Sequence, residues 1–536
     1  MKVMTMPKRF ITTGLCIPEK HYMVDISIQL MKMKRLVDAG DYFSINRGRQ
    51  YGKTTNLHQL RRILSREYYV FLISFEGISD ATFEVESLFC KCILEFIDRS
   101  IFYGEVPGIS SDFLKSLFDY SNTEQKIDFV QLSTLLQKIC HDLDKPVVFM
   151  IDEVDQASNH RNFISFLGVL RDMYLNRHTR PHFQSVILSG VYDIRNLQLK
   201  IRPTETHQVN SPWNIAVKMD IDMSLSKQGI RMMLEEYRQD YSLEFDTGMI
   251  ASLIYEYTDG YPFLVSRLCE LIHINMQERQ EETRDCKQWS PYEFQVAVRM
   301  LLEEKNTLFE SLIGKLYEFD DLSQLLHTIL FTGEDFAYNQ LNKTIDIATM
   351  FGFIKNRGGV IAISNRIFEL VLYNYFLSNQ ELLRSVIYKQ SLLEKSIFIT
   401  KTGLDMKKIL ERFVIHFHDI YGRENDRFVE EEGRKYFLLF LNPIIYGQGN
   451  YYIEARTRDQ RRTDIIVDYQ GLQYIIELKI WRWNEYYERG QEQLMDYLKS
   501  YHQSVGYMLS FNFNQQKEIG VTEVKIGEYT LIEAVV

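Results

Sequence analysis

Ten prolines and 27 glycines in 536 residues are few, which excludes collagen-like repeats and long low-complexity linkers. Cysteine is rarer still: Cys16, Cys90, Cys92, Cys140, Cys269 and Cys286, with no pair in CxxC spacing. Cys90 and Cys92 stand two apart on an expected helix, where side chains at that spacing face apart, so no shared metal is expected and the thiols read as reduced. No apolar run reaches the ~18 residues of a bilayer-spanning helix, so no membrane partner is expected. Basic residues occur within Met1 to Phe10 but no apolar segment follows them, so no secretion signal is read and the expected location is cytoplasmic. Positive charge is not in excess either. With 62 Lys and Arg against 72 Asp and Glu the net charge is −10, which excludes a wholly basic nucleic-acid coat but leaves room for a local basic groove.

What is present is ordinary for a globular chain: 45% hydrophobic and 25% charged residues. At about 150 residues per domain the length implies roughly three to four domains. The first 200 residues alternate short β-rich runs (Tyr42–Asn46, Tyr68–Phe75, Pro146–Ile151, Gln184–Ser189) with helical patterns (Thr54–Arg66, Thr82–Arg99, Asp128–His141, Phe163–Arg177). That order predicts a parallel sheet covered on both faces. From Ser224 to Gln280 the periodicity is helical, over Gln228–Tyr237, Thr247–Tyr257 and Phe263–Gln277, with Gly260 closing one helix and Pro262 opening the next. Between Ser290 and Ser378, helices precede a hairpin signature, Phe353–Asn356 and Val360–Ile363 around Arg357-Gly358-Gly359, which is the order of a winged helix. The last 135 residues read as an α+β or α/β unit on a mixed sheet. Its expected elements are a helix over Phe428–Leu441, strands over Asn450–Glu454, Asp464–Tyr469, Gln473–Ile480 and Gly506–Phe511, and a helix near Glu488–Tyr501.

Two clusters carry chemistry. The first begins at the Tyr42–Asn46 strand, which runs through Arg47-Gly48-Arg49-Gln50-Tyr51 into Gly52-Lys53-Thr54-Thr55 at a helix start. A loop that cradles phosphates needs convergent backbone N–H groups, a lysine on the terminal phosphates, a hydroxyl on Mg²⁺, and a helix N-terminus. Gly48, Gly52, Lys53, Thr54 and Thr55 supply these, although Arg47 stands where the first glycine is usual. Val147-Val148-Phe149-Met150-Ile151 ends in Asp152-Glu153, and buried apolar strands rarely end in two acids without a task. Asp152 is the expected holder of the metal's water shell, and Glu153 the residue that orients the attacking water. Ser189 either reads the γ-phosphate or simply ends its strand, and Arg171 and Arg267 are either neutralisers of phosphate charge or ordinary surface arginines. ATP and Mg²⁺ are the expected ligands.

The second cluster lies on the hairpin Asp464–Tyr469, Gln470-Gly471, Gln473–Lys479. With period two, Glu477 and Lys479 share a face across from Asp464. Two carboxylates would hold Mg²⁺ or Mn²⁺, while Lys479 positions or deprotonates a water. Gln493 and Tyr497 share a helix face, and Glu431 or Glu432 offers a further carboxylate. Arg456, Arg458, Arg461 and Arg462, four arginines in seven residues, suit a phosphate track or a solvated basic loop. Trp481 and Trp483 either stack bases or pack in the core.

The order of these elements resembles a prokaryotic family of AAA-like P-loop ATPases fused to a C-terminal PD-(D/E)XK nuclease domain, over nearly the whole chain. In that family a glycine-poor loop ending in Gly-Lys-Ser/Thr is usual. Gly260-Tyr261-Pro262 with Arg267 looks like the sensor region of the lid, and Gly352–Phe368 like the winged helix. Asp464, Glu477 and Lys479 match the nuclease motif, with Thr463 where proline is common, and Gln493 with Tyr497 resembles its QxxxY element. The resemblance implies a multidomain α/β fold: an ATPase core with a parallel sheet over 1–205 and a helical lid over 206–285. A winged helix and connector would occupy 286–395, and a restriction-endonuclease-like domain 396–536. The leading expectation from the two clusters is a DNA-cutting enzyme governed by ATP, with a homo-oligomer left open. The alternative is a signalling or immune-type defence ATPase whose nuclease fold binds nucleic acid or cuts only on a trigger.

Overall fold

The computed structural model describes residues 7–110, 112–113, 126–158, 160–191, 213–219, 221–283, 288–332, 336–378, 385–421, 430–445, 449–454, 463–470, 472–481, 498, 503–512 and 518–536. For 218, 279–283, 332, 420–421, 430–432, 450, 452–454, 463–464 and 479–481 the description covers the backbone alone. The chain divides into two compact units. The first holds residues 1–233 together with two short segments, Tyr261–Phe263 and Met350–Gly352, and the second holds the remainder.

In the first unit the elements run α1 (Ser27–Asp38), β1 (Phe43–Asn46), α2 (Lys53–Leu64), β2 (Tyr69–Ser74), α3 (Asp80–Glu84), α4 (Glu86–Phe102), α5 (Phe129–Asp142), β3 (Val147–Asp152), α6 (Arg161–Leu175), β4 (Ser185–Gly190) and β5 (Val217–Lys218). The sheet order is β2-β3-β4-β1-β5, every pair parallel. Alternation along the buried strands divides the core in two. Phe71, Ile73, Phe149, Ile151, Val186 and Leu188 join one layer with residues of α4, α5 and α6. Val70, Val148, Met150, Ile187, Phe43 and Ile45 join the other with α1 and α2.

The four expected strands lie within one or two residues of their sequence positions, and two elements were not foreseen. Helix α1 buries Leu30, Met33 and Val37, spaced three and four apart, against the α2 side of the sheet. Strand β5 is two residues long and exists through pairing with β1, a long-range contact that local pattern does not report. The helix expected over Thr82–Arg99 is broken: Val85 leaves helical geometry at φ −103°, ψ 116°. The break aims Phe83 into an aromatic cluster with Phe75 and Phe89, so tertiary packing overrides propensity there.

The second unit contains the C-terminal half of α7 (Lys227–Asp240), then α8 (Thr247–Thr258), all but the first two residues of α9 (Pro262–Thr283), α10 (Pro291–Glu303), α11 (Thr307–Glu318), α12 (Asp320–Thr332) and all but the last residue of α13 (Lys343–Met350). Asp246 caps α8 by accepting from the N–H groups of Gly248 and Met249. Asp259 (φ 49°) and Gly260 (φ 71°) stop it with two left-handed residues, the close the sequence foretold. The hairpin β6 (Ile354–Arg357) and β7 (Val360–Ile363) turns at Gly358 and Gly359, both with positive φ. After it come α14 (Arg366–Leu377), α15 (Val386–Phe398), α16 (Met406–Tyr421) and α17 (Glu430–Ile445).

A six-stranded mixed sheet follows, of β8 (Gly449–Glu454), β9 (Thr463–Tyr469), β10 (Leu472–Trp481), β11 (Val505–Asn512), β12 (Gly520–Ile526) and β13 (Tyr529–Val535). Its order is β12-β13-β11-β10-β9-β8. β10, β11 and β13 are parallel, and the outer pairs are antiparallel. Strands β12 and β13 were not foreseen, although Gly527 (φ 63°) marks the tight turn between them. The helix expected near Glu488–Tyr501 falls mostly outside the described residues. No helix among the described residues is long and apolar enough to cross a membrane. Among the described cysteines, Cys16, Cys90, Cys92, Cys140 and Cys269 are free thiols, and burial pushes the Cys90 thiol up to about 12.

Candidate functional site

All five strands of the first sheet are parallel, so their carboxyl ends meet on one edge, where ligands of open α/β sheets bind. β1 and β3 are not adjacent, since β4 lies between them, and two strand spacings amount to about 10 Å. The first turn of α2 spans that gap. Its N-cap, Gly52, sits at φ 76°, a left-handed turn that Gly makes without strain, and Lys53 and Thr54 follow at the dipole's positive end.

Thr54 Oγ1 donates to Asp152 Oδ2 at 2.6 Å, joining two sequence-predicted residues that lie 98 positions apart. The other oxygen of Asp152 accepts from the Glu153 N–H at 3.0 Å. Lys53 is 6% exposed, and its ammonium donates to the carbonyls of Gly48 at 3.0 Å and Arg47 at 3.1 Å. Burial lowers the Lys53 pKa, and Glu153, Asp155 and Asp152 oppose that shift. Glu153 itself stands in left-handed backbone (φ 53°, ψ 41°), which costs a non-glycine residue on the order of 1–3 kcal/mol. Burial raises its carboxyl above the usual range, with the Lys53 ammonium working the other way. A half-buried carboxylate held in strained backbone beside a buried lysine is the kind of group that active sites maintain.

The displaced glycine of the loop has a physical cause. A Cβ at Gly48 would lie 3.2 Å from the Phe351 carbonyl oxygen and 3.4 Å from the Tyr261 hydroxyl, both in segments of the first unit. Arg47 needs no such freedom, because its guanidinium turns away to the carbonyls of Asn46 (2.9 Å) and Ile221 (2.7 Å). The Tyr261 hydroxyl also donates to the Arg49 carbonyl, and its ring meets Tyr51 edge-on at 4.6 Å.

Other sequence-predicted residues sit differently. The Thr55 hydroxyl accepts from the Cys16 N–H at 3.2 Å, so it ties the N-terminal segment to α2 instead of facing the phosphate loop. Arg267 is held by Glu304 at 2.9 Å and Glu270 at 2.6 Å within the second unit, and those ion pairs engage the charge expected on phosphate. Ser189 is fully buried at the end of β4, in register with Ile45, and its hydroxyl has no hydrogen-bond partner among the described residues. Asn46 Oδ1 and Arg171 Nε are also buried without one.

Sequence reasoning missed Asp155 and Gly190. Asp155 Oδ2 accepts from the Val191 N–H at 2.6 Å, and a Cβ at Gly190 would lie 2.9 Å from Asp155 Oδ1 and 2.8 Å from Val154 Cγ2. A Gly after Ser189 was the available signal. Gly190→Ala is therefore expected to destabilise the fold by about 1–3 kcal/mol through overpacking. The readout is a lower denaturant midpoint at unchanged m-value. An unmoved midpoint would mean that Asp155 shifts aside at no cost.

In the second unit the β9–β10 register runs from Leu472↔Tyr469 to Ile476↔Ile465, and one step further puts position 464 opposite position 477. Directly opposed residues share a face in an antiparallel pair, so the backbone brings the two carboxylate positions together as the hairpin reading required. Glu477 is fully buried, and Lys479 pairs in register with Ser510 of β11. Ser510, Asn512 and Glu533 are further buried polar residues of this sheet, which the sequence reading did not single out. Glu432 lies on the backbone of α17. Gln493, Tyr497, Trp483 and the four arginines between 456 and 462 lie outside the described residues. No cluster of three potential metal-ligating side chains occurs among the described residues.

The chain is a multidomain α/β protein whose first unit sets the strand, loop, helix and acidic strand on one parallel sheet. No known family and no curated protein matches it. Among solved structures it is similar to the Walker-type ATPase PABY2304 of Pyrococcus abyssi, at 14% identity over 68% of this chain and 99% of that one, with a TM-score of 0.45. It is also similar to the RuvB Holliday junction branch migration motor of Thermotoga maritima (11%, 66% and 96%, TM-score 0.33). A third is the ORC1 protein of Aeropyrum pernix in complex with DNA (13%, 68% and 94%, TM-score 0.30).

Proposed function

We propose that this chain binds and hydrolyses ATP with Mg²⁺ at Gly48, Gly52, Lys53, Thr54, Asp152 and Glu153. We further propose that its nucleotide state governs a metal-dependent nuclease built on Asp464, Glu477 and Lys479. The observation that carries the first part is the 2.6 Å bond from Thr54 to Asp152. A hydroxyl and a carboxylate held together at a helix N-terminus beside a buried lysine form a hard-oxygen donor set that fits Mg²⁺ and a triphosphate.

Mg²⁺, when bound, neutralises charge developing on the transferred phosphoryl group. The protein's own contribution is positional. Loop N–H groups and the α2 dipole receive the phosphate oxygens. Lys53 exchanges its carbonyl partners for phosphate, which restores charge compensation to a buried ammonium. Glu153 orients the water that attacks, and Ser189 supplies a hydroxyl at the end of the adjacent strand.

For the nuclease, the opposition of positions 464 and 477 supports a pair of carboxylates on one metal, for which Mg²⁺ or Mn²⁺ is the suited class. DNA is the preferred substrate in this reading. Arg461 and Arg462 form part of the backbone track, Gln493, Tyr497 and Glu432 support the site, and copies of the chain associate.

Steady-state phosphate release tests the first part. Glu153→Gln is expected to lower turnover by about 10²–10⁴-fold, the range for losing a positioned base, while a fluorescent ATP analogue still binds. Unchanged turnover would remove Glu153 from the mechanism, and absence of binding to the wild type would remove the nucleotide reading altogether.

A further inference from the structure

One buried polar junction in the second unit belongs to neither candidate site. Tyr257, in the last turn of α8, is 1% exposed, and its hydroxyl donates to Asp468 Oδ2 on β9 at 3.0 Å. Gln295 of α10 donates to the same tyrosine oxygen at 3.3 Å. Arg366, which opens α14, stacks its guanidinium 4.9 Å from the Tyr257 ring centroid and donates to Glu256 at 2.6 Å. Asp468 is 6% exposed, and burial raises its carboxyl, with the Arg366 charge foremost among the influences opposing the rise. A cleft of about 220 Å³ lies beside the group, with Gln473 and Gln503 on its wall. Three helices and the β9 strand thus meet on hydrogen bonds that are costly to break in a buried setting. A network of this kind specifies one arrangement and has a discrete broken alternative.

Two adjacencies give the junction reach. Along the chain, Tyr257 precedes Tyr261 by four residues, and Tyr261 touches the phosphate loop through the Arg49 carbonyl and Gly48. On β9, Asp468 follows Asp464 by four residues, and two-residue alternation keeps both positions on one face of the strand. Met350–Gly352, the other segment of the first unit that meets the loop, leads directly into the β6–β7 hairpin that ends just before Arg366.

We infer that Tyr257 and Asp468 are positioning residues that relay the state of the phosphate loop to strand β9, and so to the carboxylate positions 464 and 477. The inference rests on the proposed reading of both sites. When nucleotide displaces the loop's present contacts, Tyr261 moves with the loop, α8 shifts at its C-terminal end, and the Tyr257–Asp468 bond passes the shift to β9. The ligand's differential affinity for the two loop states supplies the bias.

The test is hydrogen exchange of peptides covering 463–481 in the full chain, with and without Mg²⁺ and a non-hydrolysable ATP analogue. In the wild type the analogue is expected to change exchange of the β9 amides by about fivefold or more, the low end of coupling between sites. Tyr257→Phe and Asp468→Ala abolish that response, while Asp468→Asn, which keeps an acceptor for the hydroxyl, restores most of it. In cleavage assays Tyr257→Phe loses the ATP effect on kcat and keeps the KM for substrate. The inference is overturned if the analogue binds and β9 exchange does not respond, or if Tyr257→Phe responds like the wild type. Absence of cleavage by the wild type on every substrate strikes the nuclease reading and leaves the exchange result standing. Absence of analogue binding overturns both.

Discussion

Lys53→Ala is expected to weaken ATP binding by about 10²–10³-fold, the equivalent of roughly 3–4 kcal/mol. The size follows from burial. The Lys53 ammonium is 6% exposed, so its attraction to phosphate is screened little, and Asp152, Glu153 and Asp155 stand nearby as a negative field that it offsets. Without it the incoming triphosphate meets three carboxylates directly. The metal-free, nucleotide-free protein is affected far less. It loses two hydrogen bonds to the Arg47 and Gly48 carbonyls, worth about 1–3 kcal/mol together, and is relieved of a buried charge that opposes them. The prediction is therefore a large fall in affinity for a fluorescent ATP analogue with a small change in denaturant midpoint. Affinity within about threefold of wild type would place the phosphates elsewhere.

The second large effect is expected at Glu477. Glu477→Gln should lower metal-dependent cleavage by about 10³-fold or more, because a metal that polarises phosphate contributes several kcal/mol to the transition state and a neutral amide holds it poorly. Glutamine keeps the volume of a fully buried side chain, so packing is conserved and the comparison isolates charge. A thermal readout separates this role from a structural one. Mg²⁺ or Mn²⁺ at concentrations above its Kd should raise the melting temperature of the wild type by mass action and leave Glu477→Gln unmoved. The substrates are linear and circular duplex DNA, single-stranded DNA and RNA, each with and without ATP. If the wild type cuts none of them, or the variant cuts as well, the carboxylate pair is not a nuclease site, and the alternative of a signalling ATPase holding nucleic acid takes its place.

Elements with a short-range signal are visible in the sequence. Strands β1 to β4 are runs of four to six residues, β3 and β4 buried throughout, and an apolar run bounded by loops is visible in any window that contains it. The phosphate loop was legible because its chemistry is local: Gly52, Lys53 and Thr54 are consecutive and start a helix. The opposition of positions 464 and 477 along the backbone was legible for the same reason, since a tight hairpin converts sequence spacing into register. Helix α1 carries its signal in Leu30, Met33 and Val37, and the turn at Gly527 carries one too. Strand β5 offered none, because two residues become a strand only through a neighbour.

The sequence by itself determined most of the strands and helices, which residues end the apolar strand in acids, and that a lysine and a hydroxyl open a helix. Only the tertiary structure decided how those parts face each other. It set the strand order that puts Thr54 on Asp152 across 98 residues, and the close approach of Phe351 and Tyr261 that leaves little room for a side chain at 48. It turned the Thr55 hydroxyl to Cys16, engaged Arg267 with two glutamates, and joined Tyr257 to Asp468 across 211 residues. The physical reason is range. Backbone dihedrals and hydrophobic periodicity act over a few residues and can be read along the chain, whereas a hydrogen bond between distant segments exists only after the chain entropy of bringing them together has been offset by the whole core.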